Sequence, residues 1–319
     1  MKILITGITG FIGSELAKKL VDQKEYELAG IVRATADKDH IASISDLAGK
    51  ISLNWANFTD WHAVRRIVKD FAPNYIVHLG AQTAVRHSFE MPHEFSETNF
   101  LGTINLAHAA LEVPDFKKFI FASTMEVYGW QEERTPFKEE TLLHPGSPYS
   151  VSKAACEHYL EMAGRAYGLP YLISRACNTY GRKHNTGFVV EYLVATMLAG
   201  KDVYLGTPKA VRDLMYVDDH VNAYLTLLKT KETNQTFNFG TGNQMPMLEM
   251  AKIIKDKLDF KGKIIEHWPP DYPFRPVAED YLSLDSSKAK NILGWEPKYS
   301  LKEGLDKTIA YWKARMGSS

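Results

Sequence analysis

Three glycines, Gly7, Gly10 and Gly13, follow the first apolar run of the chain, Lys2-Ile3-Leu4-Ile5-Thr6, and open an amphipathic stretch. A strand that turns through GxxGxxG into a helix leaves little freedom of fold. Glycines allow a tight turn and close backbone approach to a phosphate, and the helix behind them offers unpaired N–H groups and the positive end of its dipole. The spacing gains weight from its place in a chain of alternating strands and helices. Short β-branched or apolar runs recur at 27–33, 51–54, 74–79, 117–123 and 170–175, with helical patterns near 11–22, 60–71, 92–112 and 148–167 between them. Alternation of this kind gives a parallel sheet covered on both faces. The runs at 3–5, 75–79 and 119–122 are apolar without alternation, as doubly covered strands are.

The second half reads differently. Helical patterns lie at 187–200, 218–229, 246–258 and 301–314, and Pro and aromatic residues crowd 268–276. No Gly/Ser-rich linker and no internal repeat is visible, so a smaller lobe packed on the sheet is expected. The expected fold is α/β, a Rossmann-type doubly wound parallel sheet with a smaller C-terminal α/β substrate lobe. Residues 1–177, with a return segment 214–239, are expected to form the dinucleotide-binding part. Residues 178–213 and 240–319 are expected to form the other lobe.

Charge removes some classes of partner. Lys+Arg and Asp+Glu are both 38, and a nucleic-acid surface would show a basic excess. Cys156 and Cys177 are the two cysteines, with no CxxC, which reads as a reducing, cytoplasmic setting. The N-terminus enters a strand at once, and no apolar run is long enough to cross a bilayer. Eleven His are scattered without HExxH or paired Cys/His spacing, so no metal is expected.

The loop residues Gly7, Gly10, Phe11, Ile12 and Gly13 are the expected diphosphate cradle. Near the end of the second strand an acidic residue would bind the ribose 2′-hydroxyl of NAD. Arg33 stands there instead and suits a 2′-phosphate, so NADP is the expected cofactor with NAD the alternative. Asp60 lies where the adenine can be hydrogen-bonded. Further on, Tyr149 and Lys153 stand four residues apart and share a helix face. A Lys cation and a nicotinamide cation beside the phenol favour its charged form, so a lowered Tyr149 pKa is expected with both in place. Such a Tyr takes a proton from a hydroxyl as hydride leaves the carbon. Thr124 and Glu126 follow the fifth strand, at the carboxyl edge where open α/β sheets bind ligands. Thr124 can hydrogen-bond the hydroxyl that Tyr149 deprotonates, and Glu126 can take a proton next to a ketone.

These residues resemble an extended short-chain dehydrogenase/reductase of the nucleotide-sugar epimerase/dehydratase family. The matching stretches are Gly7–Gly13, His78-Leu79-Gly80-Ala81-Gln82, Asn99 with Gly102-Thr103, Ser123–Gly129, Tyr149–Lys153, Arg175 with Asn178 and Tyr180-Gly181, 212–219, and Ser287-Lys288-Ala289 before Leu293-Gly294-Trp295. The resemblance implies a bound nicotinamide cofactor, with Leu79 and Ala81 beside it. It also implies a nucleoside-diphosphate sugar oxidised at carbon 4. Tyr149 would be the base, Lys153 its support and Thr124 its hydrogen-bond partner. Asn178, Arg212 and Arg275 match positions that hold the diphosphate or nucleoside, and Arg forks suit a diphosphate. A homodimer through the helices near 92–112 and 148–167 is also implied.

Within the family, Thr124-Met125-Glu126 points to a 4,6-dehydratase, in which Glu126 would remove the carbon 5 proton. Met125 departs from the Asp or Ser found at that place and has no acidic proton to give. A 4-keto-6-deoxyhexose reductase and a 4-epimerase are the alternatives. A decarboxylase fits less well, because Glu126 would repel its substrate carboxylate. A nonenzymatic NADP-sensing regulator is a remote reading, since it would be expected to have lost the Tyr/Lys pair. Arg33 and Phe274-Arg275-Pro276 resemble the GDP-mannose branches, and 281–285 resembles CDP-glucose dehydratases. GDP- or CDP-hexose is therefore the expected substrate class.

Overall fold

A computed structural model describes residues 1–33, 41–183, 185–270 and 280–317. Arg275, most of the Pro-rich stretch and His184 lie outside the described residues. The first structural layer is a seven-stranded sheet of β1 (Lys2–Thr6), β2 (Glu27–Val32), β3 (Ser52–Trp55), β4 (Tyr75–His78), β5 (Lys118–Thr124), β6 (Tyr171–Ala176) and β7 (Gln235–Phe239). Its order is β7-β6-β5-β4-β1-β2-β3, with every pairing parallel. The order reverses between β1 and β4, which opens a crevice at the carboxyl ends of those two strands. Sequence reading found six of these strands. It missed β7, whose half-buried start and Asn234 in the left-handed region before it look locally like a loop.

Two apolar layers cover the sheet. On one face Ile3, Ile5, Val77, Ile120 and Leu172 pack with α1 (Phe11–Gln23) and α6 (Val217–Lys229). On the other, Leu4, Ile76, Phe119 and Ile173 pack with α2 (Trp61–Phe71), α3 (Gly102–Leu111) and α4 (Pro148–Tyr167). Neighbouring residues of a strand face opposite sides, so both sets must be apolar. A third cluster is built by α5 (Val189–Leu198), α7 (Met247–Lys257) and α8 (Leu301–Gly317), with Leu205, Leu214 and Phe260.

Helix ends are written into the chain. Asp60 caps α2 by accepting from Ala63 N at 3.0 Å. Ser147 and Ser150 form a reciprocal capping box on α4, Pro148 opens it, and Gly168 closes it at φ +72°. The run into α3 contains a π-type turn, Ser96–Leu101, with buried Asn99 inside it. Such turns interrupt the regular ladder and gather at functional sites.

Two acids of the Arg212–Asp219 stretch anchor loops. Asp213, fully buried, accepts from the N–H groups of Thr241 and Gly242. Asp219 accepts from Lys298 N at 2.9 Å and Tyr299 N at 3.0 Å.

Candidate active site

The glycine loop ends β1 at the crevice. Gly7 sits at φ +67°, and a Cβ there would lie 2.8 Å from Gly80 N. A Cβ on Gly13 would overlap the Gly7 carbonyl oxygen. Both positions therefore demand glycine, and the loop closes tightly under the start of α1. Gly10 is the N-cap, makes no side-chain cap, and no acid stands in the first turn. The N–H groups of Phe11, Ile12 and Gly13 face the end of the loop, an arrangement that fits a dinucleotide diphosphate.

A buried chain of bonds joins the loop to the floor of the crevice. Thr6 Oγ1 meets His78 Nδ1 at 2.6 Å and accepts from Gly80 N at 3.0 Å. His78 Nε2 meets Thr103 Oγ1 at 3.1 Å, and Thr103 donates to Asn99 O. Burial, and then Lys153, push His78 down to about 3, so the ring is neutral. Asn99 accepts from Gln82 N at 2.8 Å and donates to Gln82 O and to Ser152 Oγ. Leu79 and Ala81 are thereby fixed at the end of β4. Arg33, exposed, directly follows β2, and exposed Asp60 opens α2 as its cap.

Thr124 ends β5 beside Ala176, and Glu126 lies in the 3₁₀ turn after it. Tyr149 and Lys153 project from the first two turns of α4. All four are buried, none more than 9% exposed. Glu126 N donates to Thr124 Oγ1 at 3.2 Å. The Tyr149 phenol feels both the Thr124 hydroxyl and the Glu126 charge. Lys153 Nζ donates to Ala122 O at 2.7 Å and lies 4.7 Å from the Phe121 ring centre.

In the chain alone the Tyr149 phenol is raised, by burial first and then by Glu126, with Thr124 pulling the other way; the expected lowering includes a nicotinamide cation. In the chain alone the Lys153 ammonium is engaged by a carbonyl, and burial dominates. Lys153 itself is pulled down to about 8 by burial, with Cys156 and Glu157 resisting.

Asn178 opens a short strand, Asn178–Tyr180, two residues past Ala176 and paired with Leu214–Tyr216. Arg212 precedes that partner strand and donates to Val211 O at 2.9 Å. Met125 is 1% exposed and belongs to the core cluster under α1 and α6, so its side chain does not serve the crevice.

Sequence reasoning missed two groups. Glu157 lies buried one helical turn beyond Lys153 and holds Arg175 and Ser123. Its only signal was the four-residue step from Lys153. Arg182 lies 4.6 Å from the Phe11 ring centre and 3.5 Å from that of Phe188, which joins α1 to the start of α5. Nothing local marks it. Among the described residues no group of three or more His, Cys, Asp or Glu gathers as a metal site. No described helix is long and apolar enough to cross a membrane.

Comparison with known proteins agrees with this geometry. A family model described as GDP-mannose 4,6 dehydratase matches residues 4–308. The chain is 30% identical over 335 residues to dTDP-glucose 4,6-dehydratase 1 of Escherichia coli K12, covering 98% of this chain and 92% of that one. Among solved structures, UDP-glucose 4-epimerase of Thermotoga maritima, crystallised with UDP-glucose, superposes with a TM-score of 0.91 at 33% identity. That match covers 99% of this chain and 100% of that one. The dTDP-glucose 4,6-dehydratase DesIV of Streptomyces venezuelae, solved with NAD and TYD bound, superposes with a TM-score of 0.88. It is 26% identical, covering 100% of this chain and 98% of that one.

Proposed function

The chain belongs to the GDP-mannose 4,6 dehydratase family of extended short-chain dehydrogenases/reductases, and from that premise we propose that it is a nucleoside-diphosphate-hexose 4,6-dehydratase. It is an NAD(P)-dependent enzyme of the nucleotide-sugar dehydratase/epimerase type. The observation that carries the finer reading is Glu126. It is a buried carboxylate in the turn directly after Thr124, its charge acts on the Tyr149 phenol, and carbon 4 oxidation alone gives it no task.

In this reading Tyr149 takes the proton of the carbon 4 hydroxyl while Thr124 holds that oxygen. Lys153 supports the phenolate with its charge. A nicotinamide held at the Gly7–Gly13 loop, with its reactive end beside Tyr149 and Lys153, would supply the hydride chemistry, taking up at carbon 4 what is needed again at carbon 6. Glu126 removes the carbon 5 proton, made acidic by the new ketone, and passes it to the departing carbon 6 hydroxyl. One water leaves, and carbon 5 regains a proton equivalent to the one Tyr149 took. With Met125 turned into the core, Glu126 serves as both base and acid. The residues placed around the cofactor are Gly7, Gly10, Phe11, Ile12, Gly13, Arg33, Asp60, Leu79 and Ala81, with Tyr149 and Lys153 at its reactive end. Asn178, Arg212 and Arg275 are assigned to the substrate. Residues 1–177 with 214–239 carry the cofactor, and 178–213 with 240–319 the nucleotide sugar. Arg33 supports NADP, whereas the solved dehydratase DesIV holds NAD. GDP- and CDP-hexoses are the first substrates to try, on Arg33 and on the 274–276 and 281–285 stretches. A homodimer through α3, the π-type turn that leads into it and α4 fits exposed Leu101 on that turn and exposed Val151 on α4, and the two buried free thiols suit a reducing cytoplasm.

The test is a mass-spectrometric screen of the purified protein against GDP-, CDP-, UDP- and dTDP-hexoses without added reductant. A product lighter by one water is expected, and the productive substrate names the base. The dinucleotide released on denaturation is read in the same run. A product of unchanged mass but altered retention overturns the dehydratase in favour of a 4-epimerase, the reading that buried Met125 favours.

A further inference from the structure

The turn bearing Thr124 and Glu126 is held at both ends by one buried ion pair. Upstream, Ser123 Oγ donates to Glu157. Downstream, Tyr128 OH accepts from Arg175 Nη1 at 2.9 Å and donates to Asn238 Oδ1 at 2.8 Å. Arg175 grips Glu157 through Nε at 3.0 and 3.1 Å and through Nη2 at 2.6 Å. Arg175 Nη1 also reaches Glu139 O at 3.1 Å, on the loop that leads back to α4. Glu157 comes from α4, one turn beyond Lys153, and Arg175 from β6, so the pair joins the catalytic helix to the sheet.

Stability alone does not account for this arrangement. Glu157 is 1% exposed and Arg175 4%. Desolvating two charges costs so much that an apolar pair of similar volume often holds a fold as well. A bidentate fork does something an apolar contact cannot: it fixes direction and distance. The turn also has bonds of its own. They include Glu126 N to Thr124 Oγ1 at 3.2 Å and Tyr128 N to Met125 O at 3.1 Å.

We propose that the Glu157–Arg175 pair is the positioning device of the site: by holding Ser123 and Tyr128 against α4, it sets the separation of Thr124 and Glu126 from Tyr149 and Lys153. Neither partner touches the reacting atoms. The two ends serve different steps. Ser123 adjoins Thr124 and the carbon 4 oxidation, and Tyr128 lies nearer Glu126 and the carbon 5 proton. This rests on the dehydratase reading for the second step only.

Removing one partner of a buried pair endangers folding, so the test uses the milder Ser123→Ala and Tyr128→Phe variants. Two rates are measured separately. One is single-turnover reduction of the bound cofactor on adding substrate. The other is wash-in of solvent deuterium at carbon 5 of the isolated 4-keto product. Ser123→Ala is expected to slow the first about tenfold and Tyr128→Phe the second about tenfold, as sub-ångström misplacement does. KM and thermal midpoint should stay near wild type. Wild-type rates in both variants, or losses of both rates together in step with the midpoint, overturn the proposal. A wild-type enzyme that reduces its cofactor but shows no exchange overturns the dehydratase reading alone, and the Ser123→Ala oxidation rate still decides the positioning.

Discussion

At the scale of single residues, the site works by burying groups that water would otherwise level. Lys153 shows the consequence for pH. Its ammonium is lost as pH rises through about 8 instead of near its ordinary 10.5. The phenolate at Tyr149 depends on that charge, so kcat should fall as pH climbs through this range. A Lys153→Met variant should be slow throughout and lack the alkaline limb. Tyr149→Phe should lose about 10²–10⁴-fold in turnover while still retaining its dinucleotide, as gel filtration and absorbance would show. An unchanged profile in Lys153→Met would remove Lys153 from the mechanism. The Tyr149/Lys153 pair was legible in the sequence because four residues is one helical step. Glu157 was not, since its partners Ser123 and Arg175 lie on other elements and only folding brings them to it.

At the scale of elements, the glycine loop and the start of α4 carry the argument. A methyl group on Gly13 meets the backbone of Gly7, and backbone cannot swing aside as a side chain can. Gly13→Ala should therefore shift α1 and abolish dinucleotide retention, measured by fluorescence titration. It should cost far more than Gly168→Ala, where a Cβ meets open space and only the left-handed φ is strained. Equal binding by the two variants would show that the loop does not hold the diphosphate. Asp60 illustrates how one residue reads two ways. Its position suited an adenine contact, and the structure gives Oδ1 to the α2 cap. The sequence cannot separate these uses, because a cap and a ligand contact call for the same carboxylate at the same strand-to-helix turn.

For the whole molecule, two buried neutral histidines couple fold to pH. His78 and His220 are both held near 3, by burial first, with Lys153 and Arg182 respectively adding to it. The unfolded chain takes up these protons near 6.5, the folded one not until about 3. Their contribution is therefore present above 6.5 and lost as pH falls from there towards 3, by about 1.4 kcal/mol per pH unit for each group. Buried Asp213 and Glu191, which burial raises, act in the opposite sense at lower pH. The readout is thus the difference between proteins. A His220→Leu variant should show a shallower fall of thermal midpoint between pH 6.5 and 5 than wild type. Parallel curves would mean that His220 is protonated in the folded chain.

Local order along the chain was enough to specify the strand–helix alternation, the phosphate loop and the Tyr149/Lys153 step. Each is a pattern of neighbours within a few residues, where backbone sterics and helical periodicity act directly. Tertiary structure decided what those neighbours meet. It raised the Tyr149 phenol through burial, turned Met125 into the core, gave Asp213 and Asp219 to distant loops, and joined Ser123, Tyr128, Glu157 and Arg175 in one network. Desolvation and pairing depend on which remote segments close over a group, and a linear sequence does not state that distance.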